Sequence, residues 1–449
     1  MREDGLRRAA GRLARSGLDR IFRYVTRRSR RHRLRVVWAD GEKSDYFPPP
    51  GAPDVTIVFK TARAQRRALV NFYQGLFEAY VDQEVDLLGE RPIVKLAELG
   101  HEVLGARYAK GALAGLLLKN PLVRVKQIVQ ELRQSNRSLA RARANAIAHY
   151  GLRPEFFEYL LGHTVGYSEG YWPEHTPDLD RAKVQNYDYI CRKLRLRPGL
   201  EVVEVGAGWG YMPLLMHKRY GCKVTVYNPV PRQNAYMRER FAAWGAHDIR
   251  VLDKDHRQLV EEPGRYDRYV SIGVYEHVGY TGYRDWIRSI SVCLKPGGLG
   301  VLSSTFKMVR EMTEYLTLKY IFPGGHLPSL PLTLRMMDRF GLTALDLENL
   351  WPHYQKTVSS WLDHLERRWP EIAALDPEVF DERFRRIWTL YLSGTVETFA
   401  SGLDLFHIVF AKGRSADAYP TSRAFLYESP LAGAEGELEF FPHPEARVR

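Results

Sequence analysis

Cysteine is scarce in this chain: three residues in 449, Cys191, Cys222 and Cys293, none closely spaced. That excludes a disulfide framework and a zinc ribbon and fits a reducing, cytoplasmic setting. Long apolar runs are missing too. The best candidate, Ala112–Leu118, falls far short of the roughly 20 residues a spanning helix needs. The first residues are charged with no apolar stretch behind them, so they do not read as a secretory signal. A soluble protein, or one peripheral at the inner face of a membrane, is expected. The body has no internal repeat and no RNA- or DNA-binding motif, which argues against a nucleic-acid partner.

Positive charge is present but local. Residues 1–35 hold thirteen arginines against Glu3, Asp4 and Asp19, which accounts for ten of the chain's net +13. Between them Leu6, Ala10, Leu13, Gly17, Leu18, Ile21, Phe22 and Val25 recur mostly at three- and four-residue steps. That is one apolar face of a helix with arginine around the rest. Two readings stay open. Such a helix can lie on an anionic phospholipid surface, each basic residue adding about 1 kcal/mol. It can also be a solvated arm or a packed helix with a charged outer face.

The pattern along the chain suggests five parts. They are a basic amphipathic arm (1–44), a small module of short strands and helices (45–110), a basic helical linker (111–148), a strand–helix domain (149–412) and a partly disordered tail (413–449). In the fourth part, strands are expected at 201–205, 223–227, 249–252, 269–273, 299–303 and 405–410. Alternation with helices predicts an α/β fold, a doubly wound and mainly parallel sheet, with the smaller α+β module before it. Arg386–Tyr391 reads as part of a late core helix.

Glu204-Val205-Gly206-Ala207-Gly208-Trp209-Gly210 follows a strand and opens a helix. Glycines there allow a sharp turn and close approach of a ligand, and nucleotides sit at such turns. The spacing is Gly-x-Gly-x-Gly, not the dinucleotide Gly-x-Gly-x-x-Gly. The next strand ends at Asn228 instead of the acid that holds an NAD ribose.

Three further segments combine with this turn: Tyr167-Ser168-Glu169-Gly170-Tyr171-Trp172, Tyr275-Glu276-His277-Val278-Gly279 and Tyr320-Ile321-Phe322-Pro323-Gly324-Gly325-His326-Leu327-Pro328. Together they resemble the cyclopropane-fatty-acyl-phospholipid synthase family over roughly residues 50–412. The resemblance implies an S-adenosylmethionine-dependent methyltransferase acting on the cis double bond of an unsaturated phospholipid, with the small module helping to hold lipid. It implies cofactor-binding roles for Tyr167, Ser168, Glu204, Gly206, Gly208, Gly210, Asn228 and Gln233, with Asp253 near the adenine.

Methylating an alkene makes a carbocation, so the site must be dry and apolar. Aromatic residues such as Tyr275, Phe322, Tyr354 and Trp361 suit that task. In the family a bound bicarbonate then removes a proton. The resemblance places its ligands at Glu276, Tyr354, the amide of Thr305, and two altered positions: Glu169 where relatives have Cys, and Ser303 where they have His. A second carboxylate beside Glu276 would repel bicarbonate. Glu169 is therefore expected to replace the ion as general base, with a protonated Glu276 donating to it. His277 is expected either to orient Glu276 or to be a satisfied structural histidine, and His326 to be structural.

The altered base favours a methylene-branched (10-methylene type) product. Relatives of that kind rely on a separate reductase, here expected to use flavin or NADPH. The alternatives are a cyclopropane synthase proper, a small-molecule C- or N-methyltransferase, and a non-enzymatic lipid- or partner-binding scaffold. A homo-oligomer is compatible with the sequence.

Overall fold

The computed structural model describes residues 2–28, 32–46, 51–104, 121–309, 313–414 and 419–427. The candidate apolar run 112–118 lies outside them. The chain forms two compact units, one of residues 1–128 with 365–402, the other of residues 129–364 with 403–449.

The first unit is built on a four-stranded sheet of β1 (Leu34–Val37), β2 (Lys43–Tyr46), β3 (Val55–Phe59) and β4 (Val85–Leu88), in the order β2-β1-β3-β4. β3 alternates buried and half-buried residues, the period of a strand with one face on a core. Among the described side chains, which begin at Leu13, the Arg2–Arg28 helix packs one face into this unit while Leu13 itself is exposed. Ala14, Leu18 and Phe22 are fully buried, and the Phe22 ring meets Trp38, Tyr46 and Phe72 at 5.5–6.3 Å. The described part of the arm, residues 13–27, is a packed helix with Arg20, Arg23 and Arg27 on its exposed face. The late helix Glu382–Ser401 also belongs here: the Arg386 guanidinium donates to the carbonyls of Tyr80 and Val85 and to Asp86 Oδ1 at 2.7–2.9 Å.

The second unit holds a seven-stranded sheet in the order β10-β11-β9-β8-β5-β6-β7. Its strands are β5 (Glu201–Val205), β6 (Lys223–Tyr227), β7 (Arg250–Leu252), β8 (Tyr266–Ile272), β9 (Leu294–Phe306), β10 (Leu342–Asn349) and β11 (Asp404–Lys412). β7, β6, β5, β8 and β9 run parallel; β11 and β10 are antiparallel additions. This is the α/β fold expected. The parallel strands are continuous apolar runs because helices cover both faces.

Helix ends follow local chemistry. Asp178 Oδ1 accepts from the Arg181 amide and caps the Leu179–Lys193 helix. Pro231 starts the next helix after β6, and left-handed Gly221 ends the Tyr211–Tyr220 helix. In the tail, residues 419–427 are placed, with Leu426 fully buried and the Tyr427 hydroxyl 3.2 Å from that of Tyr189. No helix among the described residues is long and apolar enough to cross a membrane.

Candidate active site

The glycine turn after β5 walls one cavity of about 1350 Å³, counting the space at its open mouth. Gly206, Gly208 and Gly210 all have left-handed φ values, +76°, +55° and +85°. At Gly206 a Cβ would sit 2.5 Å from the Val274 side chain, whereas at Gly208 it would meet nothing within 4 Å. The first glycine is required by packing. The second leaves the backbone open to a ligand.

Tyr167, Ser168, Glu204, Gly206, Gly208, Gly210, Asn228, Gln233 and His277 all line this cavity. Asn228 Nδ2 donates to Gln233 Oε1 and to Asn234 Oδ1. Glu204 is fully buried at the strand end with Oε2 lacking any hydrogen-bond partner, and burial pushes its carboxyl up to about 8. An orphaned acceptor in a pocket wall is a place for a ligand's donors. Together with the open Gly208 backbone, these residues fit an adenosyl cofactor.

Asp253 is not in the lining. Its carboxylate faces outward and takes Asn234 Nδ2 and Arg238 Nη2 at 2.6 and 2.7 Å. The wall there is made by Asp255, His256 and Arg257 instead. Asp255 forms a capping box with Gln258: its side chain accepts from the Arg257 amide at 3.0 Å while its own amide donates to Gln258 Oε1 at 3.1 Å. The Asp-x-x-Gln spacing was a legible signal for that cap.

Glu169, Glu276, Ser303 and Tyr354 also lie outside the lining of this cavity, and Glu169 follows directly behind its wall residue Ser168. Glu169 is completely buried. Its Oε1 accepts from Ser303 Oγ at 2.8 Å, His407 Nε2 at 2.7 Å and Asn186 Nδ2 at 3.2 Å. Its Oε2 has no partner. Burial pushes the carboxyl up. The hydrogen bond from His407, the charge of Lys183 and the hydrogen bond from Ser303 outweigh it and hold the group at about 2. Lys183 reaches the same segment, donating to the Ser168 carbonyl, Ser168 Oγ and the Glu169 carbonyl at 2.5–3.1 Å.

Glu276 Oε1 accepts from the Thr305 amide at 2.5 Å, and its Oε2 has no partner. Burial raises this carboxyl, against the amide bond that lowers it. Ser303 and Thr305 are two residues apart on β9, about 7 Å along a strand and on one face. Glu169 is thus held by the Ser303 side chain on the face of the sheet, and Glu276 by the Thr305 backbone amide. The expected hydrogen bond from Glu276 to Glu169 is not formed: the Oε2 atoms of both carboxylates are without a partner, and Glu276 is held at Oε1 by the Thr305 amide. His277 does not contact the Glu276 carboxylate either. Its Nε2 lies 3.0 Å from the Tyr150 hydroxyl, and burial lowers it to about 4, leaving it neutral.

Tyr354 sets its ring edge-on to Trp361, which lies 5.1 Å from Tyr167. Phe322 lines the cavity, whereas Tyr275 packs in the core against Tyr283 and Trp286. His326 Nδ1 lies 3.0 Å from the Tyr283 hydroxyl.

A family profile described as mycolic acid cyclopropane synthetase matches residues 137–408. The chain belongs to this family. Among relatives, it is 33% identical over 301 residues to a probable fatty acid methyltransferase of Pseudomonas putida, covering 64% of this chain and 74% of that one. It is 30% identical over 267 residues to the cyclopropane-fatty-acyl-phospholipid synthase of Escherichia coli K12, covering 59% and 67%. Among solved structures, the mycolic acid cyclopropane synthase CmaA1 complexed with SAH and CTAB aligns with a TM-score of 0.56 at 27% identity, over 60% of this chain and 98% of that one. Members of the cyclopropane synthetase family are S-adenosylmethionine-dependent methyltransferases, and this chain is an enzyme of that class acting on lipid acyl chains.

Proposed function

We propose that the enzyme methylates the cis double bond of an unsaturated phospholipid acyl chain, that Glu169 accepts the proton then released, and that the product is methylene-branched. S-adenosylmethionine, when bound, supplies an electrophilic methyl group. Tyr167, Ser168, the glycine turn, Asn228 and Gln233 would hold it, with Glu204 offering its free oxygen to a donor. The family relatives named above act, by their names, on fatty acyl and mycolic chains, which supports a lipid substrate. The exposed arginines of the first helix suit an anionic phospholipid surface.

The single observation that carries the reading is Glu169 itself, buried with Oε1 held by three donors and Oε2 without a partner. Its surroundings lower this carboxyl while burial raises that of Glu276, a divergence that suits acid and base roles. Glu169 is kept ionised and ends in an oxygen with no partner. Burial of Glu276 disfavours its charged form. A carbocation is a very strong acid, so a weak carboxylate base suffices to deprotonate it. Hydride shift from the methylated carbon to its neighbour puts the charge on the methyl-bearing carbon. Loss of a methyl proton to Glu169 then leaves an exocyclic double bond. Saturating that bond is a task for a separate flavin- or NADPH-dependent reductase.

A second reading has Glu169 as a structural counter-charge to Lys183 and an acceptor for His407, favoured by its three donors. Glu169→Gln separates the two, since it slows turnover about 10²–10⁴-fold while sparing adenosylhomocysteine binding in the first case and keeps activity in the second.

A further inference from the structure

The side chains behind Glu169 form an ordered row. β9, β11 and β10 are successive antiparallel strands, and their register sets Ser303 opposite His407 and His407 opposite Glu348. Directly opposite residues share a face of the sheet. The row therefore runs from inside the sheet to the edge strand β10. Lys193, at the end of the Leu179–Lys193 helix, bridges it: its Nζ is 2.5 Å from Glu348 Oε2 and 3.2 Å from His407 Nδ1. The Tyr189 hydroxyl also donates to Glu348, at 3.0 Å.

An ammonium group has donors and no acceptor. His407 Nδ1 must therefore accept from Lys193, which puts the imidazole proton on Nε2, where it is donated to Glu169. A lysine whose side chain is fully buried needs a counter-charge to stay protonated, and Glu348, 16% exposed at the sheet edge, provides it.

We propose that His407, Lys193 and Glu348 are positioning residues that lock one imidazole tautomer, so that Glu169 stays ionised with Oε1 saturated and Oε2 alone free to take a proton. This rests on the reading of Glu169 as the base. With the opposite tautomer, a nitrogen lone pair would face the carboxylate and favour its protonation. The other groups around the row do not replace the lock. Lys183 spends its donors on Ser168 and on backbone. Asn186 gives only a longer bond at 3.2 Å. His353 receives the Trp172 amide and is lowered by burial, so it is neutral. Tyr171, Tyr427, Asp346 and Arg423 surround the Glu348 and Lys193 end.

The test is a pH titration of the Glu169 carboxyl, followed by infrared or carbon NMR on glutamate-labelled enzyme, with single-turnover methylation of unsaturated phospholipid in parallel. In the unsubstituted enzyme the carboxyl should stay ionised through the acid range in which it is folded. Lys193→Met should move its midpoint up to about pH 5–8, and below that midpoint the single-turnover rate should fall about tenfold per pH unit. Glu348→Gln should shift the profile the same way, which guards against misfolding of one variant. His407→Gln, which keeps an N–H donor without a tautomer, should restore the ionised group where His407→Leu does not. An unchanged Glu169 titration and pH profile in Lys193→Met and Glu348→Gln would overturn the proposal. Full turnover by Glu169→Gln would instead sink the base assignment, and the carboxyl titration would still report on the lock.

Discussion

Glu204 makes apo-enzyme stability depend on pH in a direction opposite to that of most carboxylates. Its carboxyl is fully buried, lacks a partner at Oε2, and moves from an ordinary 4.5 to about 8 by burial alone. A group whose folded pKa is raised stabilises fully below its unfolded pKa, and that contribution is lost as pH rises through the folded value. About 3.5 units at ~1.4 kcal/mol each gives on the order of 5 kcal/mol as the span between acid and alkaline limits. The perturbation is Glu204→Gln, which removes the titration and keeps the shape. Urea unfolding of both proteins at pH 5 and pH 8.5 isolates the residue, because the other carboxylates cancel in the difference. The unsubstituted enzyme should lose several kcal/mol relative to the variant on going to pH 8.5. Adenosylhomocysteine donating to the orphaned oxygen should release a proton on binding, so affinity should rise with pH toward 8. Calorimetry in buffers of different ionisation enthalpy reads that proton directly. Equal pH slopes and equal proton counts in the two proteins would refute the reasoning.

Gly206→Ala places a Cβ 2.5 Å from Val274 at a left-handed φ. It should cost about 1–3 kcal/mol and weaken adenosylhomocysteine binding, measured by calorimetry. Phe22→Ala should destabilise the first unit by about 3–5 kcal/mol in thermal or urea unfolding, because its helix is part of a core. Arg20→Glu with Arg27→Glu should leave folding unchanged and weaken binding to anionic vesicles, roughly 1 kcal/mol for each arginine removed; equal sedimentation with vesicles would remove this helix from the docking surface. Ozonolysis of the extracted acyl product should cleave it at the branch, as a methylene requires, whereas a cyclopropane would survive.

The parallel half of the sheet was legible because buried parallel strands are apolar runs ending at glycine turns, and Glu201–Val205 with Gly206 shows both. β10 was missed. Its residues Leu342–Asn349 are mostly half-buried or exposed, so they carry no apolar run. The first helix was legible as amphipathic, but its periodicity could not say what covers the apolar face; Trp38, Tyr46 and Phe72 do.

Most of the cavity wall was read from motifs, and Asp253, which lies outside that lining, shows the limit. A residue two positions away, Asp255, turns inward because its capping box fixes the loop. His407, Lys193 and Glu348 come from three distant segments, so no spacing linked them. Two faint signals existed. His407 is a lone polar residue in the apolar run Leu405–Phe410. Lys183, Asn186 and Lys193 are separated by steps of three and seven, on one face of a helix that also carries buried Ile190.

The central claim is that a side-chain carboxylate does the work of an imported anion. Turnover of unsaturated phospholipid with S-adenosylmethionine in bicarbonate-depleted buffer, by the unsubstituted enzyme and by Glu169→Gln, tests it most directly. The account predicts a rate indifferent to added bicarbonate, and a variant slowed about 10²–10⁴-fold that still binds adenosylhomocysteine. A rate that collapses without bicarbonate and returns when it is added, or a Glu169→Gln enzyme that turns over normally, would contradict it.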